Sequence, residues 1–257
     1  DFIGAMARIL YNQPATPLDA THRVRIACGA PVPVEIYADF ERRFHLTVLE
    51  TYGLSECPMG TSNLANMRKT GSMGKPTRHP DPALYTRVRL VDDVDRDVPV
   101  GQVGEVLLQS PALMVGYYRD PARTAEAMRG GWFHTGDYAR QDEDGFFFFV
   151  DRKKDIIRRR GENISSVEIE RVLNDHPAVA ESAVIPVPAA LSEDDIHAYV
   201  VLRPGAQTTA EELQAWCETR LARFKTPQSV RFRDALPKTP TQRVEKYKLR
   251  EEYARGV

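Results

Sequence analysis

The apolar residues of this chain come only in short runs. The densest, Phe146-Phe147-Phe148-Phe149-Val150, is strand-sized, and no stretch approaches the roughly 20 residues of a membrane-spanning helix. With 16 Gly and 18 Pro spread over 257 residues, such a chain has to be assembled from many short helices and strands. At about 150 residues per domain, the length suits one large domain or two ordinary ones. Hydrophobic residues make up 42% and charged residues 28%, the balance of a globular protein and not of a disordered or fibrous one. Lys and Arg number 35 against 36 Asp and Glu, a formal net charge of −1. Proteins of nucleic acid or anionic membranes carry a basic excess, so neither partner is expected. Cys28, Cys57 and Cys217 are odd in number, far apart and without a Cys-x-x-Cys pair. That pattern predicts neither a disulfide framework nor a zinc site and fits a reducing cytoplasm.

Along the chain the periodicity changes twice. Residues 1–70 read as α/β, with strands at Val24–Ala27 and Thr47–Thr51 around a helix that places Val34, Tyr37, Phe40 and Phe44 on its apolar face. The sequence opens at Asp1 with neither Met nor a signal pattern and enters a helix with Phe2, Met6, Ile9 and Leu10 on one face. This opening reads as the continuation of a longer chain. Residues 71–150 read as strand-rich: Val88 and Leu90 alternate with Arg87 and Arg89, then come 104–110 and 146–150. Between them lies one helix, capped by Asp120 with Pro121 first and ended by Gly130. Beyond Asp151, capping-box patterns at Ser165/Glu168 and Thr208/Glu211 open two helices. Strands at 182–185, 198–202 and 230–232 complete an α+β unit of about a hundred residues.

Four segments carry polar chemistry. Tyr52-Gly53-Leu54-Ser55-Glu56 follows a strand end, where α/β sheets bind ligands. Its side chains offer a ring to stack, a hydroxyl donor and a hard oxygen ligand for Mg²⁺, although a Tyr-Gly turn with a solvated Glu has the same lettering. In Gly131-Trp132-Phe133-His134-Thr135-Gly136-Asp137, the final carboxylate can accept bonds from two sugar hydroxyls or close an Asx-turn. Arg152, Lys153, Lys154, Arg158, Arg159 and Arg160 crowd together before Gly161-Glu162-Asn163. They suit a solvated edge strand or a multiply phosphorylated small molecule. The last segment, Leu236 to Lys246, is a cation-rich loop with Pro and Thr.

Taken in order, these segments resemble the adenylate-forming superfamily of acyl-CoA synthetases, luciferases and peptide-synthetase adenylation domains. The nearest likeness is to crotonobetaine/carnitine-CoA ligase-type enzymes, carried by Tyr52–Glu56, Trp132–Asp137, Gly145–Arg152 and Gly161–Ser165. The resemblance implies the trailing part of a large α/β adenylate-binding domain with a β-rich subdomain, residues 1–153, followed by a small mobile α+β C-terminal domain, residues 154–257. The upstream half of the same protein is then expected outside this sequence. The implied reaction joins a small carboxylic acid to AMP at the expense of ATP, with Mg²⁺, and then passes the acyl group to coenzyme A.

Residue by residue, the resemblance implies that Gly29-Ala30-Pro31 lines one face of the adenine and Tyr52 the other. Ser55 lies near the α-phosphate, Glu56 holds Mg²⁺, Asp137 takes the ribose hydroxyls and Arg152 reaches ribose or phosphate. Lys154 matches the hinge, and Arg160, Gly161, Glu162 and Asn163 border the path of the pantetheine arm. Two departures stand out. Relatives often carry a second Gly at the position of Arg160, and the C-terminal Thr-Gly-Lys, whose Lys serves adenylation, appears as Thr241-Gln242-Arg243. Arg keeps the charge, but its planar fork is not interchangeable with an ammonium. Lys238 and Lys246 are the nearby lysines, and neither sits at the matching position. The family's Ser/Thr/Gly-rich phosphate loop has no counterpart in residues 1–257, since Gly71–Pro76 follows Tyr52–Glu56 and Pro76 removes an amide donor. The 257 residues alone are therefore expected to be incompetent in adenylation. The alternative is a non-catalytic nucleotide-binding or interaction module, degenerate at Arg243.

Overall fold

The computed structural model describes residues 1–189, 193–240 and 242–256, arranged as two compact units, Asp1–Val150 and Asp151–Val257. Thr241, first residue of the Thr241-Gln242-Arg243 segment, lies outside the described residues.

The first unit begins with β1 (Phe2–Ile3), α1 (Gly4–Tyr11), β2 (Ile26–Ala30), α2 (Val34–Phe44) and β3 (Thr47–Tyr52). β1, β2 and β3 are parallel, and β4 (Thr61–Ser62) and β5 (Lys75–Pro76) extend the sheet antiparallel. Ala7, Val32, Ile36, Tyr37, Phe40 and Val48 form its core. Two apolar faces differ from the sequence reading. On α1 it is Ala7 that is buried, while Met6, Ile9 and Leu10 are each about half exposed; a small residue lets α1 approach α2 closely. On α2, Ile36 replaces Val34 in the core. The strand expected at 24–27 runs instead over Ile26–Ala30, set by pairing of Gly29 and Ala30 with β1 and of Ile26–Gly29 with β3.

The strand-rich part is a four-stranded sheet of β6 (Arg87–Val91), β7 (Val103–Gln109), β8 (Phe133–Gln141) and β9 (Phe147–Arg152), in that order. Between β7 and β8, α3 (Pro121–Ala127) starts as expected, with the Asp120 carboxylate accepting from Arg123 N at 3.0 Å. The sheet packs around Leu90, Val106, Leu108, Phe133, Ala139 and Phe147. β8 is the strand that periodicity does not find, because Gly136 at φ 68° interrupts its alternation.

The second unit opens with the hairpin β10 (Ile157–Arg159) and β11 (Glu162–Ile164). A three-stranded sheet follows, made of β12 (Val179–Pro188), β13 (Asp194–Leu202) and β14 (Ser229–Phe232). β12 and β13 are antiparallel, β13 and β14 parallel. α4 (Ser166–Asn174) and α5 (Ala210–Glu218) contribute Ile169, Leu173, Leu213 and Cys217 to a core with Val184, Ile196 and Val200. The opposite side chains, Ala183, Ile185, Val187 and Tyr199, pack with Leu236 and with Leu249 of α6 (Lys246–Ala254). α4 is capped by Ser165 as expected. The α5 cap sits one residue later than expected, at Thr209 with Glu212, while Thr208 donates to the Glu212 carboxylate. α6 is a helix where the sequence reading has a cationic tail.

Candidate functional site

In the first unit, β2 and β3 are parallel neighbours that end together, so Ala30 and Tyr52 emerge from the same edge. Gly29 is needed there for space: a Cβ would stand 2.1 Å from the carbonyl oxygen of Phe2. The loop after β2 is tied to β3 by Val32 N, which donates to the Glu50 carboxylate at 2.9 Å. Glu50 is 5% exposed, and burial raises its pKa. Tyr52 is buried, and its hydroxyl donates to Asp137 Oδ2 at 2.8 Å, joining residues 85 positions apart. The family resemblance implies that the two residues serve adjacent parts of one ligand, adenine and ribose, and the fold brings them together. Asp137 itself is 3% exposed, a burial no Asx-turn on the surface would have.

Beyond Tyr52 the chain turns tightly, with Leu54 N and Cys57 N each bonded to the other residue's carbonyl at 2.9 and 3.1 Å. This turn leaves Ser55 exposed and Glu56 half-buried. The Tyr117 hydroxyl donates to Glu56 Oε1 at 3.0 Å, and Arg123 lies 4.0 Å over the Tyr117 ring. Burial and the Glu56 carboxylate raise the Tyr117 pKa, so it remains the donor. Glu56 Oε2 makes no hydrogen bond among the described residues, and no cluster of three or more metal-ligating side chains exists among them. One carboxylate oxygen of this kind fits Mg²⁺, which typically takes one or two protein carboxylates and completes its shell with phosphate and water.

In the second unit, Arg152 at the end of β9 and Lys154 in the turn that follows are exposed. Asp151 and Asp155, on either side of Lys154, are buried. Asp151 Oδ2 accepts from Ser166 N and Oγ at 2.7 and 2.6 Å at the start of α4, and Asp155 pairs with Arg250 of α6. Gly161 and Glu162 are exposed on the β10–β11 hairpin, where Arg160 occupies φ 53° and Gly161 φ 76°. Arg160 thus holds a left-handed position that a glycine would take without strain. Gln242 does the same at φ 64°, so both departures from the family lettering put an ordinary residue at a glycine conformation. Arg243 is exposed, and its guanidinium has no partner among the described residues. The two nearby lysines are engaged elsewhere. Lys238 pairs with Glu181 at 2.6 Å, and Lys246, its side chain 12% exposed, pairs with Glu170 at 2.7 Å and donates to Ser166 Oγ at 2.6 Å.

Arg159, Arg160, Arg223, Phe224, Thr226 and Gln228 line a cleft of about 300 Å³ in this unit. Arg159 Nη1 and Thr226 Oγ1 are buried there without a hydrogen-bond partner among the described residues, which makes the cleft receptive to an anion with several acceptor oxygens.

Sequence reasoning missed Glu50, Glu105, Tyr117 and the cleft residues Arg223 and Thr226. Glu50 and Glu105 do leave a signal, since each is a carboxylate inside an apolar strand, in Val48-Leu49-Glu50 and in Glu105-Val106-Leu107-Leu108.

Residues 3–118 match the AMP-binding enzyme family and residues 168–243 the AMP-binding enzyme C-terminal domain. The chain is 39% identical over 247 residues to a long-chain-fatty-acid–CoA ligase of Yersinia pestis, covering 95% of this chain and 43% of that protein. It is 35% identical over 254 residues to a crotonobetaine/carnitine–CoA ligase of Proteus mirabilis, covering 96% and 48%. The chain spans about half the length of the curated relatives it matches. Among solved structures, ATP-bound MatB from Rhodopseudomonas palustris superposes with a TM-score of 0.87 at 31% identity, over 98% of this chain and 50% of that one. The order of the two matched domains and the likeness in fold agree: the chain belongs to the adenylate-forming, AMP-binding enzyme family.

Proposed function

We propose that the chain is the downstream portion of an ATP-dependent acyl-CoA ligase, with residues 1–153 completing the adenylate-binding domain and 154–257 forming the C-terminal domain that pivots at Lys154. A small carboxylic acid attacks the α-phosphorus of ATP, pyrophosphate leaves, and the coenzyme A thiol then displaces AMP to give the thioester. The observation that supports this reading is the buried Tyr52–Asp137 hydrogen bond, which joins an aromatic ring at the carboxyl edge of the parallel strands to a buried carboxylate of β8 able to accept from a diol.

In this reading Gly29-Ala30-Pro31 and Tyr52 flank the adenine, Asp137 accepts from the ribose hydroxyls, and Ser55 donates to the α-phosphate. Glu56, oriented by Tyr117, holds Mg²⁺. The bound ion supplies charge neutralisation on the phosphates and orients the leaving group. Arg152 serves ribose or phosphate, Arg243 stands where relatives place a lysine, and Gly161 and Glu162 border the pantetheine path. The cationic cleft at Arg159, Arg160 and Arg223 suits the phosphates of coenzyme A. Three free cysteines are compatible with a cytoplasmic setting.

The engagement of Lys238 and Lys246 favours a second reading, in which the chain binds the nucleotide without activating an acid. Two measurements test the nucleotide site and the need for the phosphate loop. The 257-residue chain is expected to bind AMP, with Asp137→Ala weakening it about tenfold, as loss of a charged hydrogen-bond acceptor should. It is expected to show no ATP–pyrophosphate exchange, for want of a phosphate loop. Equal AMP affinity in the variant refutes the site, and robust exchange refutes the need for the loop.

A further inference from the structure

Between Glu105 and Leu107 the β7–β8 ladder slips: Glu105 lies opposite Tyr138, and Leu107 opposite His134. Three residues of β8, Thr135, Gly136 and Asp137, thus stand against the single residue Val106. Such a bulge re-aims a side chain but leaves backbone N–H groups without ladder partners. Here two of them, on Gly136 and Asp137, are met by side chains. Glu105 Oε1 accepts from Gly136 N at 3.1 Å. Thr135 Oγ1 accepts from Asp137 N at 3.1 Å and donates to Val106 O at 2.7 Å.

Gly136 at φ 68° turns the chain so that Asp137 projects inward, where Tyr52 meets it. No atom lies within 4 Å of where a Cβ on Gly136 would be, so no neighbour packs against that side of the residue to fix the peptide. The hydrogen bond to Glu105 does. Glu105 is 3% exposed, and His134 Nδ1 is 3.8 Å from the same oxygen, beyond hydrogen-bond reach. Burial, with Arg129 nearby, holds the His134 pKa below the ordinary imidazole value. The imidazole is therefore neutral at pH 7 and does not draw the carboxylate away.

We infer that Glu105 is a positioning residue for the nucleotide: by fixing the Gly136 peptide it fixes the direction of the Asp137 carboxylate, and with it the recognition of the ribose diol. This rests on the reading of Asp137 as the ribose acceptor. The test is isothermal titration of the 257-residue chain with AMP and with 2′,3′-dideoxy-AMP. The wild type is expected to prefer AMP, and Asp137→Ala to lose the preference. Glu105→Ala is expected to reduce it about tenfold, the worth of one well-placed hydrogen bond. Glu105→Gln, whose amide oxygen accepts the same N–H, keeps it within about twofold. A merely structural role for Glu105 lowers affinity for both nucleotides alike and overturns the inference. So does a Glu105→Ala chain with wild-type preference while Asp137→Ala has lost it. Preference retained in Asp137→Ala, or no AMP binding by the wild type, overturns the ribose reading and the inference together. Should Glu105→Ala fail to fold, hydrogen exchange of the wild type decides. The Gly136 amide is expected to exchange at least about 100-fold more slowly than an open loop, and an open-loop rate refutes the bond to Glu105.

Discussion

Acidification should destabilise the second unit through one residue, His197. It lies on β13, 4% exposed, with Nδ1 against Ser229 Oγ and its ring edge-on to Tyr199 at 4.6 Å and tilted against Tyr253 at 4.9 Å. Nε2 is buried without a partner among the described residues, so a second proton would have nothing to bond. Burial first, and then the charge of Arg231, lower its pKa from 6.5 to about 4. Because the folded value is the lower one, the unfolded chain takes up the proton first. The stabilisation is complete above about pH 6.5 and is lost as pH falls towards 4. A shift of this size corresponds to about 3 kcal/mol in full and to about 2 kcal/mol at pH 5. With a urea m-value near 2 kcal/mol/M, the unfolding midpoint should fall by roughly 1 M between pH 7 and pH 5. His197→Phe keeps the ring and removes the titration. It should lose about 1 kcal/mol at pH 7 with the Ser229 bond, yet show a shallower decline on acidification. If wild type and variant decline in parallel between pH 7 and pH 5, His197 is not the group responsible and the argument fails.

Two further outcomes follow from the second unit. Replacing Arg160 or Gln242 by Gly should raise stability by about 0.5–1 kcal/mol each, the left-handed strain released less the entropy a glycine costs; denaturant midpoints at or below wild type would contradict the strain. Lys246→Met should cost about 3–5 kcal/mol by stranding Glu170 in the interior, and adding Glu170→Leu should recover at least half of that. A double variant no more stable than the single one would show that the Lys246–Glu170 pair is not what the interior needs.

Where local chemistry decides structure, the sequence is a good guide. Asp120 and Ser165 cap the helices they announce, and the alternation at 87–90 is a strand. Reading fails where a distant segment makes the decision. Thr208 and Thr209 offer equivalent caps to α5, and the register is chosen by how Leu213 and Cys217 reach the core. β8 hides because Gly136 breaks the alternation at the point where Asp137 is turned inward, so the disturbance in the pattern coincides with the candidate site. α6 goes unseen since its one buried residue, Leu249, gives no stripe to detect. Within the site, Tyr52, Glu56 and Asp137 are legible as chemistry in a motif. Glu105 and Tyr117 act through partners 31 and 61 residues away, and no local spacing encodes such a pairing.

The three-stranded sheet of the second unit is covered on one face by α4 and α5 and on the other by Leu236 and α6. As the chain leaves the ribosome, the first face can close once Leu213 and Cys217 are out, but Ile185, Val187 and Tyr199 have no cover until residues 246–254 follow. For that interval the nascent unit carries a finished side and an open, adhesive one. Its period of greatest exposure to aggregation and chaperones therefore comes late in synthesis, and its length is set by how soon Leu249 arrives.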